Sequence, residues 1–148
     1  GLTSAAFQKA FDKQAQSQGG QPLGAFEKTQ EPDGVTQYRY QYGGGVSMEW
    51  ETDAATDQVL RARVGLDIGS DNPDTGLFGA SVAALIFALS PDLSEEQGVA
   101  ILDDLQMADP SVWTAGYVAK ANYLGIEYAS SLSQDLFWTM TLSPQPQS

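Results

Sequence analysis

Apolar positions recur first at helical spacing and then at strand spacing along this chain. Thr3 or Ser4 can cap a first helix running to about Gln18, with Phe7, Ala10 and Phe11 on one face. Gly19-Gly20 and Pro22 stop it, since glycine takes the left-handed turn that ends a helix and proline cannot extend one. Leu23 to Lys28 reads as a short strand, and Glu31-Pro32-Asp33-Gly34 as a turn. From Val35 to Tyr42 the alternation is strict: Tyr38, Tyr40 and Tyr42 share one face, and Gln37, Arg39 and Gln41 the other. Gly43-Gly44-Gly45 reverses the chain. Val46, Met48 and Trp50 then alternate with Ser47, Glu49 and Glu51, which predicts a β-hairpin. Beyond the polar link Thr52 to Asp57, another strand places Leu60, Ala62, Val64, Leu66 and Ile68 on one face and Arg61 and Arg63 on the other.

The second half opens with a loop from Gly69 to Gly76, rich in Asp, Asn, Pro and Gly. Leu77 to Leu89 is almost wholly apolar, with Phe78, Val82, Leu85, Ile86 and Leu89 at helical spacing. Such a helix is about 20 Å long, short of the roughly 20 residues a bilayer requires, so it reads as a buried central element and not a membrane span. Ser90-Pro91 breaks it. Ser94-Glu95-Glu96-Gln97 is a capping box opening a third helix, with Val99, Leu102 and Leu105 expected inward and an end near Asp109-Pro110. Strands are expected around Thr114 to Ala121, Tyr123 to Ser130 and Leu136 to Ser143, the last lining one face with Leu136, Trp138, Met140 and Leu142.

Helix, three or four strands, two helices and three strands predict an α+β fold, an antiparallel sheet of about six strands packed against three helices. The length of 148 residues is that of one domain, expected to span residues 1–148 with tails at 1–3 and 144–148.

Composition narrows the chemistry. Nineteen acids against seven bases give a net charge of -12, which repels nucleic-acid phosphates and anionic head groups alike. Neither cysteine nor histidine is present. Disulfides, thiolate metal sites, Ser-His-Asp and Cys-His catalysis and histidine-held zinc or haem are therefore excluded. No phosphate loop, dinucleotide fingerprint or nucleophile elbow occurs, and no cofactor is expected.

Four constellations are candidates for function. Arg39, Glu49, Glu51, Arg61 and Arg63 fall on one face if the strands pair in order, as an ion-pair ladder or a polar binding surface. Asp67, Asp71 and Asp74, with Asn72 between, supply oxygens that suit calcium, but also turn formers and a helix cap, and they lack the EF-hand spacing. Tyr38, Tyr40 and Tyr42, with Trp50, Trp113, Tyr117, Tyr123, Tyr128, Phe137 and Trp138, read as filling between sheet and helices or as a stacking surface. The Leu77–Leu89 helix, if uncovered, would offer a homodimer or partner interface.

These readings converge on a non-catalytic binding or protein-interaction domain, holding a protein partner or a small ligand. The rival expectations are a calcium-binding module and a carboxylate-only, glycoside-active hydrolase drawing on Glu49, Glu51, Glu127 and Asp135. A first residue other than methionine and Gln/Ser-rich ends of bacterial character lead us to expect an extracytoplasmic protein. It would be secreted, periplasmic or held by a lipid anchor before residue 1, without membrane insertion.

Overall fold

The computed structural model describes residues 2–107, 111 and 114–144. The chain runs α1 (Ser4–Gln18), β1 (Glu27–Gln30), β2 (Val35–Gly43), β3 (Val46–Asp53), β4 (Val59–Asp67), α2 (Thr75–Leu89), α3 (Glu95–Asp104), β5 (Val118–Tyr123), β6 (Ile126–Leu132) and β7 (Phe137–Pro144). The expected α+β order is the one observed, with seven strands in place of about six. They form one antiparallel sheet in the order β1-β2-β3-β4-β7-β6-β5. β1 to β4 are a meander, and the helical segment carries the chain across to the far edge, from which β5 to β7 return until β7 pairs with β4.

The helices gather on one face of this sheet. α1 turns Phe7, Phe11 and Ala15 into the core, and Phe7 packs on Trp50 of β3 with ring centroids 5.5 Å apart. Its N-terminus is held by Thr3 Oγ1, which accepts from the Ala6 N–H, and its C-terminus by Gly19 at φ 78°. Leu2 and Thr3 are not a loose tail: Val59 N–H donates to Leu2 O at 2.7 Å, and Thr3 bridges Gln58. α2 packs beside α1 and against β4 and β7, and is buried through Phe78, Val82, Leu85 and Ile86, the role its nearly uniform apolarity implies. No helix among the described residues is long and apolar enough to cross a membrane.

Several local expectations are corrected. The first strand begins at Glu27, because Leu23 to Phe26 instead folds back over the tyrosines of β2. Thr52 pairs with Val59 while Glu51 pairs with Arg61, so Leu60 is the extra residue of a bulge and Val59 enters the core in its place. α3 turns Gly98, Ile101 and the following Leu105 inward and leaves Val99 57% exposed, because Gly98 must face α2, where the Phe87 ring fills the space of a Cβ. Leu136 belongs to the β6–β7 turn at φ 60° and is exposed, while Trp138, Met140 and Leu142 are buried. The expected helix end at Asp109-Pro110, Trp113 and residues 145–148 lie outside the described residues.

Candidate functional site

No described element packs on the second face of the sheet, and strand pairing dictates what stands there. Arg39 pairs with Glu49 and Glu49 with Arg63, while Glu51 pairs with Arg61, so alternation brings the five charges into one block. Glu49 Oε1 lies 3.0 Å from Arg39 Nε, and its Oε2 accepts from Arg63 Nε at 2.8 Å. Glu51 Oε1 accepts from Arg63 Nη2 at 3.2 Å, and its Oε2 lies 3.0 Å from Arg61 Nε. Arg63 therefore joins both acids, and all four carboxylate oxygens have a guanidinium partner. Every arginine of the chain is in this block, which carries one positive charge in excess. Arg39 and Arg61, at the two ends, are half-exposed. Exposed pairs contribute only about 0–1 kcal/mol each, so the network does more to orient the guanidinium groups than to hold the fold together.

Beside the block runs a row of small residues. Ser47 pairs with Gly65, Gly65 with Thr139, and Thr139 with Ser131, a line across β3, β4, β7 and β6. These four, with Glu49, Arg63 and Phe137, line a shallow cleft of about 220 Å³. The Phe137 ring occupies the place a Cβ at position 65 would take. The face thus offers hydroxyls, one aromatic ring and an ordered set of arginines on a flat support.

The tyrosine stripe is on the opposite face, so Tyr38, Tyr40 and Tyr42 form no common surface with the arginines. Tyr38 is 5% exposed and stacks on Trp50 with centroids 5.1 Å apart, and Phe26 closes over both rings edge-on. Gly24 passes so close to Tyr40 that a Cβ would stand 2.8 Å from its hydroxyl. The Tyr42 hydroxyl donates to Gln21 O at 3.4 Å, and burial pushes its pKa well above the usual phenol value. The α1–β1 connection therefore covers the stripe.

The three loop aspartates are placed separately. Asp74 is the N-cap of α2 and accepts from the Leu77 N–H at 2.9 Å. Asp67 ends β4 and accepts from the Gly69 N–H at 3.0 Å, and Asp71 is exposed. Among the described residues no three acids are grouped to hold a metal ion. The loop is instead fastened to the triple-glycine turn, with Asp67 and Asp74 N–H groups donating to Gly45 and Gly44 carbonyls at 2.8 Å. Glu127 stands half-buried on β6 and Asp135 exposed in the β6–β7 turn.

No protein-family model, curated protein or solved structure matches this chain.

The uncovered face is where the sequence-based and structural readings meet. The charged block is legible from alternation along β2 to β4. Gly65, Phe137, Ser131 and Thr139 are not, because their approach depends on the β4–β7 pairing across the helical crossover. Two signals point to them: a glycine inside an otherwise regular strand, and a phenylalanine at an outward position of β7.

Proposed function

We propose that this domain is a non-catalytic protein-interaction module that docks its partner on the uncovered face of the sheet. One observation carries the reading. The chain's three arginines are gathered on that face, where the exposed Lys120 of β5 stands in the same cross-strand row as Arg63, while Lys9 and Lys13 belong to α1 and Lys28 sits over the Tyr38 ring on the helical side. Arginine is enriched in protein interfaces and lysine is depleted, because the planar, weakly hydrated guanidinium is desolvated more readily. Size supports it too. Strands about 4.8 Å apart and roughly 25 Å long give a seven-stranded face near 700 Å², close to what one partner buries in a standard interface. The preferred partner surface is flat and rich in acceptors, with carboxylates or carbonyls set against Arg39 and Arg61.

The arrangement of the acids supports a non-catalytic reading. Glycoside hydrolysis needs two carboxyl groups about 5–10 Å apart across a cleft. Glu49 and Glu51 are on one strand, with Arg63 between them. The test compares three baits in native extract: the wild type, Arg39→Gln/Arg61→Gln, and Lys9→Gln as a control on the helical side. A partner held by the wild type and the control but released by the double variant supports the proposal. Equal retention by all three removes it.

A further inference from the structure

A larger cleft opens on the helical side, at the end of the sheet where β4 and β6 begin and β7 ends. It measures about 810 Å³, within the range of roughly 300–1,000 Å³ typical of small-molecule sites. Val59, Ala88 and Ile126 are buried along it, and half-buried Phe87 and Leu89 from the last turn of α2 add to its apolar wall. α3 backs that wall, since Phe87 packs against Gly98. The α1 side differs. There Lys13 and Gln14 line the cleft, with Gln58 nearby at the start of β4, and among the described residues Lys13 is the one charged residue that lines it. Lys9 stands one turn earlier on the same helix.

We propose that this cleft binds a single-chain anionic amphiphile, a monocarboxylate with an unbranched alkyl tail. The tail lies against Phe87, Leu89, Val59 and Ile126, where it removes apolar surface from water on both sides of the contact. The carboxylate meets the Lys13 ammonium, with the Gln14 and Gln58 side-chain amides as further donors. Charge selects the occupant. The chain carries -12 overall, yet among the described residues the cleft is lined by a lone cation and no acid, so an anionic head is favoured there over a cationic one. The α2 end strengthens the polarity, because a helix C-terminus carries partial negative charge and repels an anion toward the α1 side. The site is separate from the uncovered sheet face and does not depend on it.

Isothermal titration with dodecanoate, below its micelle concentration, and with dodecyltrimethylammonium tests the proposal on the whole chain. Dodecanoate binds one-to-one, and the cationic amphiphile binds at least ten-fold more weakly. Lys13→Gln, a change in one side chain on the surface of α1, weakens dodecanoate about ten-fold, the equivalent of one charge-assisted hydrogen bond. Ala10→Trp fills the cleft from the same helix and abolishes binding, with unchanged circular dichroism and melting. Three results overturn the proposal: no dodecanoate binding, equal binding of both amphiphiles, or affinities that neither variant changes. A dimer that Ala10→Trp converts to monomer, without amphiphile binding, likewise overturns it and assigns the cleft to a second copy of the chain.

Discussion

The Phe137 ring lies against Gly65 on the neighbouring strand, where a Cβ at position 65 would stand 2.5 Å from ring atoms Cε1 and Cζ. Glycine inside a strand costs roughly 0.5–1 kcal/mol relative to alanine, and a ring laid over it offsets that by shielding the bare backbone. Phe137→Ala is expected to cost about 1–2 kcal/mol in urea unfolding. Gly65→Ala expels the ring, so its cost falls by about 0.5–1 kcal/mol when Phe137 is already alanine. Strict additivity of the two changes would show that the ring does not rest on Gly65.

Arg63 separates two acids that share a strand face. Arg63→Met leaves Glu49 and Glu51 side by side with one guanidinium each, at a cost of about 1 kcal/mol at low salt. The groups are partly exposed, so the difference from wild type should shrink in about 1 M salt, where the Debye length falls to about 3 Å. Unfolding curves at the two ionic strengths decide it. A difference that salt leaves untouched would mean packing of the arginine stem, not charge, is responsible.

Several tyrosines make the fold sensitive to alkali. Burial raises the pKa values of Tyr42, Tyr117 and Tyr128 above the usual 10.0, and the hydrogen bond to Asp104 raises that of Tyr123. In the unfolded chain phenols ionise near pH 10, while the folded chain keeps these protons. The folded form then binds more protons than the unfolded one. Stability is therefore complete below about pH 10 and falls as pH rises beyond it. Phenolate absorbance should lag behind an ordinary tyrosine titration until circular dichroism reports unfolding, and Tyr42→Phe should lessen the fall.

The 67–74 loop is fastened by backbone and caps, and its aspartates act accordingly. Asp74→Ala should cost about 1 kcal/mol through the lost α2 cap, by the same amount in calcium and in chelator. Gly44→Ala should cost about 1–3 kcal/mol, since its φ of 62° disfavours a side chain and a Cβ would stand 2.8 Å from the Asp74 Cβ. Thermal melts with and without calcium check both. A calcium-dependent rise in melting temperature, lost in Asp74→Ala, would contradict the structural assignment.

Strict period-two runs made the β2–β3 hairpin and β7 legible, since one buried face forces alternation. β5 and β6 instead begin at Val118 and Ile126, later than the expected Thr114 and Tyr123, because the chain reverses at Leu124-Gly125, both at positive φ. The register Arg39, Glu49, Arg63 also followed from sequence, because strands joined by short turns pair in order. Leu60 did not, as a bulge depends on how Thr52 finds its partner and leaves no mark in the alternation. On α3, Leu102 and Leu105 face the core as expected but Val99 does not, because Gly98 takes the inward position and its bareness is what lets Phe87 approach. The cleft beside Phe137 depended on β7 reaching β4 across two helices, a pairing set by tertiary packing and not by local spacing.

Site-specific photo-crosslinking in the native host tests the central claim most directly. A photoreactive residue replaces Thr139, at the centre of the uncovered face, or Gln16, exposed on α1. Docking on the sheet predicts one discrete crosslinked partner from position 139 and none from position 16. A crosslink from position 16 alone would place the interface on the helical side and contradict the account.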